Sequence, residues 1–479
     1  MLFNSYIYIF AFLPITFFIY FYLLKQRFIV GAKIFLVFAS LFFYSWWNII
    51  YLPIILTSML FNYAIGNSLN ANIKINRKYV LIFGITINLI SLGYFKYRDF
   101  FIDNIDLLLN IDIPLLHLAL PLGISFFTFQ QISYLVDSYR GETKEYDFLN
   151  YALFVTFFPQ LIAGPIVHHK EMIPQFMNKW NLVKNYKNIA LGMFIFSIGL
   201  FKKVIIADTF AIWANNGFDY AHHLNMLEAW ATSLSYTFEL YFDFSGYTDM
   251  AIGAAFLFNI KLPINFDSPY KALNIQDFWR RWHITLSRFL KDYIYIPLGG
   301  NRKGEIRTYL NLISTFVLAG LWHGASWMFV FWGMLHGIAL IIHRIWQKFK
   351  IKMWKWLAWF FTFNFINIAW IFFRAKDWNS AIKVLDGMFN GKLIISDKLQ
   401  KILDCKYIYF GKVTKHIGGG DKLLIWLLGG IIVVLFFKNT TMYLSKYKLS
   451  YKDLLISSIF FVYAILNLTK ISEFIYFNF

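Results

Sequence analysis

Long apolar runs separated by short polar breaks dominate the chain from its N-terminus onward. The first four such runs cover residues 5–24, 33–48, 51–65 and 79–94. A helix needs about 20 apolar residues to cross a hydrocarbon core of about 30 Å, and the repeated runs approach or reach that length. The pattern therefore predicts an all-α polytopic membrane protein.

The same pattern continues to the C-terminal end, with polar residues and prolines inside several runs. The later runs cover residues 118–137, 148–167, 189–210, 229–260, 309–345, 354–373, 423–437 and 454–468, and the run 309–345 is long enough to form one helix or two. Pro159 and Pro165 bracket a broken or re-entrant piece, because breakers at membrane depth need protein or water around them. We expect about 11 transmembrane helices, with re-entrant and interfacial helices besides.

Two polar stretches interrupt this series. Residues 98–117 mix Asp and Asn with Leu and Ile, which indicates an amphipathic segment at the membrane interface. Residues 261–307 form the longest polar break of the core and alternate Lys and Arg with aromatic residues, which predicts a helix dipping into the membrane from the cytoplasmic face. We expect a single membrane domain, residues 1–479, with N-terminal helices in 1–97, a catalytic core in 98–346 and C-terminal helices in 347–479.

Composition excludes the soluble classes. The chain is 59% hydrophobic and only 15% charged, against about a quarter charged residues in ordinary globular proteins. Its formal charge of +19 comes from Lys and Arg in short loops, as the positive-inside bias predicts. We therefore expect the protein to contact membrane lipids and not to bind nucleic acid. The first run is followed by Lys25, Arg27 and Lys33, which places the N-terminus outside the cytoplasm and favours a retained helix over a signal peptide.

Candidate chemistry centres on two histidines. The apolar stretch 315–339 carries His323 near its middle, and an ionisable ring at membrane depth is by default a functional hypothesis. No carboxylate adjoins His323, so a partner has to come from another segment, and residues 274–290 supply His283. A neutral imidazole is the commonest general base. His336 and His343, 13 and 20 positions beyond His323, are expected on the opposite helical face as packing residues.

Charged residues near these histidines indicate a donor site. Arg280, Arg281 and Arg288 suit the phosphates of a nucleotide-bearing donor such as coenzyme A. For each of them alone a contact with a lipid head group is the favoured interpretation, and their occurrence together with His283 in one segment favours the donor site. Glu239, Asp243 and Asp249 lie in an apolar frame and are either functional or parts of an interhelical polar clamp. The single cysteine, Cys405, excludes an intrachain disulfide.

No metal and no bound cofactor are predicted. The pairs His168–His169 and His222–His223 have no third ligand beside them in sequence, so loop or interface histidines are the favoured interpretation. The chain contains no GxSxG, HExxH, Walker or GxGxxG motif, which removes the hydrolase, zinc-protease and P-loop classes.

Several strings, in this order, resemble a known family. They are LFFYSWW, LPLGISFFTFQQISYLVDSYRG, FFPQLIAGPIV, GLFKKVIIAD, YFDFSGYTDMAIGAAFLF, NFDSPY, DFWRRWHITLSRFLKDYIYIPLGGNRKG, LAGLWHGASW, WGMLHG, IFFRA and FIYFNF. The chain resembles the membrane-bound O-acyltransferase (MBOAT) family, in the branch that acetylates alginate and peptidoglycan. Glu239, where glutamine is expected, and Asp267, where asparagine is commoner, depart from the pattern and bear on acceptor recognition.

The resemblance implies a ring of tilted helices around a thin centre pierced by a tunnel, in the bacterial inner membrane. It implies that His323 is the catalytic residue, as base or transient acyl carrier, and that His283 is the second active-site histidine. Acetyl-CoA would be the donor substrate from the cytoplasm, and a periplasmic SGNH-type O-acetyltransferase would be the partner. The residues expected to bind substrate or coenzyme A are Arg280, Arg281, Trp282, Arg288, Trp322 and Asp249.

Three functions remain open at this point. Peptidoglycan O-acetylation is favoured over alginate because the Lys, Asn and Ile usage fits a low-GC genome. D-alanyl transfer to teichoic acid by the same fold is the nearest chemical alternative. A proton-coupled transporter or flippase is a different class, in which Glu239, Asp243, Asp249 and the histidines would form a path for protons or solute.

Overall fold

The computed structural model describes residues 1–71, 75–143, 147–395, 409–446, 450–468 and 474–475. Regular structure in these residues is almost entirely helical, which confirms the predicted all-α class. Cys405 and most of the closing FIYFNF string lie outside the described residues.

The described residues up to Phe201 contain ten α-helices. They are α1 (Leu13–Lys25), α2 (Ile29–Ser45), α3 (Leu52–Asn70), α4 (Arg77–Leu92), α5 (Arg98–Leu109), α6 (Ile124–Tyr139), α7 (Phe148–Thr156), α8 (Phe158–Leu161), α9 (His169–Met177) and α10 (Tyr186–Phe201). As expected around Pro159, the apolar run 148–167 is broken, into α7 and α8.

Eleven further α-helices and one short pair of strands follow in the described residues. The helices are α11 (Asp208–Asn215), α12 (Met226–Leu257), α13 (Ile275–Arg281), α14 (Ile284–Leu290), α15 (Glu305–His323), α16 (Trp327–Lys348), α17 (Lys355–Arg374), α18 (Trp378–Asn390), α19 (Gly420–Phe436), α20 (Thr440–Lys446) and α21 (Tyr451–Leu466). Strands β1 (Ile394–Ile395) and β2 (Tyr409–Phe410) are parallel, and Ile394 is opposite Tyr409. A π-helical turn, Lys202–Ala207, joins α10 to α11.

The chain divides into two compact units that are not continuous in sequence. The first unit comprises Met1–Phe201, Tyr247–Asn265 and Leu444–Phe479, and the second comprises Lys202–Gly246 and Phe266–Tyr443. Helix α12 supplies its residues up to Gly246 to the second unit and the remainder to the first.

Small residues and buried amides fix the packing of the first unit. Gly192 on α10 and Gly253 on α12 face each other so closely that a Cβ on either would come 2.6 Å from the carbonyl oxygen of the other. The Asn62 and Asn88 amides, on α3 and α4, donate to each other at 3.0 and 2.7 Å. Buried amides paired in this way satisfy their polar groups without water, as a membrane interior requires.

A tight helical hairpin, α15 followed by α16, organises the second unit. A Cβ on Gly320 would come 2.1 Å from the Phe329 carbonyl oxygen, and one on Gly333 would come 2.1 Å from that of Phe316. Only glycine permits this approach of the two backbones. Helix α15 ends at His323, Gly324 is extended, and the Ser326 hydroxyl caps α16 by accepting from the Met328 N–H at 3.2 Å.

Six helical stretches in the described residues are long and apolar enough to cross a membrane. They are Tyr8–Lys25, Ile49–Asn70, Arg77–Leu109, Tyr186–Tyr220, Trp327–Lys348 and Lys355–Arg374. Large apolar side chains on α1, among them Ile15, Phe18 and Tyr22, are exposed in the protein alone, and a surface of this kind is stable against lipid. The protein is therefore a multi-span helical membrane protein.

The polar break 261–307 forms two short helices, α13 and α14, where the sequence predicted one dipping helix. The α13 N-terminus is capped by Asn274, whose side-chain oxygen accepts from the Asp277 N–H at 2.8 Å. His283 lies between the two helices in the left-handed region, with φ of 42°, and separates them.

Candidate active site

His283 is held in a strained backbone conformation inside the second unit. A left-handed conformation costs a residue with a side chain about 1–3 kcal/mol, and such outliers concentrate at functional positions. The ring is fully buried, and its centroid lies 4.9 Å from that of Phe244. This burial lowers the pKa of His283 far below its ordinary value, so the imidazole is neutral.

His323 is the last residue of α15 and lies at the turn of the hairpin. Its ring makes edge-to-face contacts with Trp332 and Phe373, with centroid separations of 5.2 and 5.0 Å. The apolar stretch 315–339 is therefore not one continuous helix, because Gly324 to Ser326 separate two helices directly after His323. The turn leaves the imidazole among rings from both arms of the hairpin and from α17.

The two histidines meet across one tryptophan. The Trp322 ring centroid lies 4.9 Å from that of His323 and 6.2 Å from that of His283. The separation of the two imidazole centroids therefore cannot exceed the sum of these two distances, although the residues are 40 positions apart in sequence. The structure brings together His283, Trp322 and His323.

His336 also belongs to this cluster, contrary to the sequence-based expectation. Its Nδ1 accepts from Trp279 Nε1–H at 3.2 Å, and its ring centroid lies 4.7 Å from that of Trp332, the same ring that contacts His323. The expectation assumed one helix turning by 100° per residue from His323 to His336. The break after His323 invalidates that count, because α16 folds back along α15.

Trp279 also lines a basic cavity with a volume of about 610 Å³. Its lining includes four basic side chains, namely Arg280, Lys291, Arg302 and Arg344. The volume is in the ordinary range for small-molecule sites, and guanidinium groups pair bidentately with phosphate. The cavity wall at Trp279 is connected to His323 through Trp332, whose ring centroid lies 6.0 Å from that of Trp279.

The other residues predicted to bind substrate lie in different surroundings. Arg281 pairs with Asp277, Nε to Oδ1 at 2.9 Å, and donates to the Asp267 carbonyl oxygen at 3.3 Å. Trp282 is buried against Phe278 and Trp370. These contacts give Arg281 and Trp282 packing partners within the second unit.

Arg288 and Asp249 complete the predicted set. Arg288 is half-buried on α14, one turn beyond His283. Asp249 is buried on the portion of α12 that belongs to the first unit. Their role in binding substrate stays a prediction.

The buried carboxylate at Asp243 forms an ion-pair clamp. Lys203, at the π-helical turn, contacts Asp243 at 2.6 Å and Asp208 at 3.0 Å, and both Lys203 and Asp243 are almost fully buried. This is the interhelical clamp that the sequence left open for the acidic residues of α12. Glu239 is also buried on this helix.

Three features of the site were missed or misjudged from the sequence. Trp332 and Phe373 contact His323 but look like ordinary apolar positions of helices. Arg344 lies 64 positions beyond Arg280, and only the fold-back of α16 brings both to one cavity. The signal that could have found them is the pair Gly320 and Gly333, which marks a close helical hairpin.

A multi-span helical protein with two buried imidazoles and a basic cavity of about 610 Å³ has groups that an acyltransferase can use. A profile of the membrane-bound O-acyltransferase (MBOAT) family matches residues 2–377. The chain belongs to the MBOAT family and is an acyltransferase. Family membership favours the enzyme over the transporter alternative.

Three relatives show which proteins are similar to this chain in sequence. A peptidoglycan O-acetyltransferase of Helicobacter pylori is 55% identical over 419 residues, which is 81% of this chain and 80% of the relative. A protein of Pseudomonas putida described as a probable alginate O-acetylase is 39% identical over 399 residues, 81% of this chain and 80% of that one. A teichoic acid D-alanyltransferase of Bacillus subtilis is 28% identical over 272 residues, 53% of this chain and 69% of that one.

Proposed function

We propose that the protein takes an acetyl group from acetyl-CoA and passes it across the bacterial inner membrane for O-acetylation of peptidoglycan. The observation that carries this proposal is the contact of both His283 and His323 with the Trp322 ring, in the same unit as a basic cavity. The 55% identity to a peptidoglycan O-acetyltransferase supports the acceptor.

His323 acts as the general base in this proposal. It takes the proton of an acceptor hydroxyl as the hydroxyl oxygen bonds to the thioester carbonyl carbon, and the carbon–sulfur bond then breaks. The thiolate of coenzyme A takes the proton back and leaves His323 neutral. Because the thioester is already activated, one base and donors for the developing oxyanion suffice. His283 orients the reacting groups or assists the transfer.

The basic cavity binds the phosphates of acetyl-CoA. Arg280, Arg302 and Arg344 come from three different segments, and Lys291 adds a fourth positive charge. Trp279 lines this cavity and contacts Trp332, the ring beside His323. The donor's thioester arm would extend from the phosphates past Trp279 toward the histidines.

A periplasmic partner, an SGNH-type O-acetyltransferase, completes the transfer to the polymer. The decisive experiment deletes the gene in the bacterium that encodes it and measures O-acetylated muropeptides by mass spectrometry. We expect the acetylated fraction to disappear and to return with the wild-type gene. Unchanged peptidoglycan acetylation would overturn the proposed acceptor.

The same strain separates the alternative acceptors. Loss of acetyl esters from an alginate-like polysaccharide, or of D-alanyl esters from teichoic acid, with intact muropeptides would identify a different acceptor for the same fold. The weaker match to the D-alanyltransferase, over 53% of this chain, makes that outcome the less expected one.

The proposed direction of transfer requires a periplasmic N-terminus. The basic residues Lys25, Arg27 and Lys33 follow the first span and are held in the cytoplasm by the positive-inside bias. An alkaline phosphatase fusion before Ser5 should be active, whereas a green fluorescent protein fusion at the same place should be dark. The reverse result would contradict the orientation.

A further inference from the structure

One carboxylate and two imidazoles converge in the first unit, whereas the proposed acyltransfer residues belong to the second. Asp137 lies in the last turns of α6, and His168 and His169 form the N-terminal end of α9. The Nε2 atoms of His168 and His169 lie 2.6 and 3.1 Å from the same atom, Asp137 Oδ2. Loop or interface histidines are the interpretation that the sequence favours for this pair, because no third ligand adjoins it, but the fold supplies a carboxylate from 31 positions upstream of His168.

We propose that Asp137, His168 and His169 bind a divalent transition metal of the zinc class. The three donor atoms lie within 4.8 Å of one another, so a small displacement would seat one ion among them at bond lengths of about 2.0–2.2 Å. Two imidazoles and one carboxylate are a donor set that Zn²⁺, Fe²⁺ and Ni²⁺ accept.

The burial of the three ligands fits a pocket with one open side. Asp137 and His169 are 1% and 0% exposed, whereas His168 is about one-fifth exposed. The metal would enter past His168, and water would occupy the remaining coordination position. Three protein ligands and a water are the arrangement of an open zinc site.

Nearby charges and protons are compatible with the cation. Arg140 lies 3.7 Å from Asp137 Oδ1, which leaves Oδ2 to the metal, and the Lys170 ammonium is paired with Glu142. The His168 Nδ1 accepts a long bond from the Lys170 N–H at 3.3 Å, so metal on Nε2 moves the ring proton to Nδ1 and gives up that contact. The site therefore exchanges this weak capping bond and the two contacts of Nε2 with Asp137 Oδ2 for coordinate bonds to the metal.

The metal would tie α9 to α6. The Tyr134 ring of α6 already contacts the His169 ring of α9, with centroids 6.2 Å apart, and it also contacts Tyr151 of α7 at 4.8 Å. Binding only the folded state, the ion would raise the temperature at which the first unit unfolds.

The test uses full-length protein purified in detergent through a tag without histidine. The protein is stripped with EDTA, freed of the chelator and titrated with Zn²⁺ by calorimetry, and then with Co²⁺ for its visible absorption. We expect one equivalent per chain and a rise in the unfolding temperature. Asp137→Asn should lower the affinity by about 100-fold or more, since losing even an outer partner of a ligand lowers it by about 10- to 100-fold.

Matched variants separate this site from other histidines. The double variant His222→Gln/His223→Gln removes two imidazoles, as many as the proposed site contains, from an exposed pair. This variant and His323→Ala should both bind Zn²⁺ with the wild-type affinity. His168→Gln, which alters a partly exposed ring, guards against a folding defect in Asp137→Asn. Absence of stoichiometric binding to the wild type, or equal affinity in wild type and both ligand variants, would overturn the proposal whatever acyltransfer activity shows.

Discussion

Arg280 and Arg281 are adjacent in sequence but have different environments. Arg280 lines the basic cavity, whereas Arg281 pairs with Asp277 and with the Asp267 backbone. The sequence predicted both as donor-binding residues, because a run of arginines beside His283 shows the charge but not the direction of each side chain. Helix α13 turns consecutive residues by about 100°, which separates the two roles.

Replacing each arginine tests this division. Arg280→Gln should raise the KM for acetyl-CoA by about tenfold with a smaller change in kcat, because a charge-assisted phosphate contact contributes about 1.5–3 kcal/mol. The measurement is the initial rate of thiol release at varied acetyl-CoA. Arg281→Gln is the matched control, and an equal rise in KM for both variants would contradict the placement of the donor.

The α15–α16 hairpin is the element on which the site depends. Apolar periodicity predicted helix across residues 309–345, and the possibility of two helices was already open from sequence. Periodicity could not locate the break at Gly324 to Ser326, because the apolar pattern runs through it. The backbone contact at Gly320 and Gly333 is a tertiary requirement that no local pattern expresses.

Gly320→Ala tests the close approach of the two helices. Its Cβ would come 2.1 Å from the Phe329 carbonyl oxygen, and such overpacking costs about 1–3 kcal/mol. Gly429→Ala, in α19, is the control, since no atom lies within 4 Å of its Cβ. Thermal unfolding in detergent should show a lower midpoint for Gly320→Ala only, and equal midpoints would refute the hairpin geometry.

The ion pair of Lys203 with Asp243, between the π-helical turn and α12, allows a second prediction about how the helices are held together. Lys203→Met leaves Asp243 buried without its cation, which should destabilise the protein by about 3–5 kcal/mol. The double variant Lys203→Met/Asp243→Leu removes both charges and should recover part of the loss. The thermal unfolding midpoints of the single and double variants measure how strongly the two side chains stabilise each other. A double variant with a midpoint no higher than that of the single variant would exclude a stabilising ion pair.

At the scale of the whole molecule, the sequence predicted the helical membrane class and the family correctly. Run length and hydropathy report lipid exposure directly, and the family strings are specific in combination. The meeting of His283 with Trp322 and His323 was also expected, but only as convergence of two segments. The two discontinuous units could not be predicted, because they depend on contacts between residues more than 200 positions apart, such as those of α10 with α21.

The basic side chains that line the cavity could not be grouped from the sequence either. Arg280, Arg302 and Arg344 belong to a loop and two helices whose arrangement is tertiary. Likewise, Asp137 meets His168 and His169 only after α9 packs near α6. Local patterns identified the right kinds of residue, and the fold decided which of them share a site.

The most direct test of the account is thiol release from acetyl-CoA by purified wild-type protein, His323→Ala and the exposed-histidine control His223→Ala, with folding checked by gel filtration. A general base contributes about 10²–10⁴ to the rate, so His323→Ala should lose about 100-fold or more while His223→Ala keeps the wild-type rate. A folded His323→Ala protein that releases thiol as fast as the wild type would contradict the assignment of His323 as the catalytic residue.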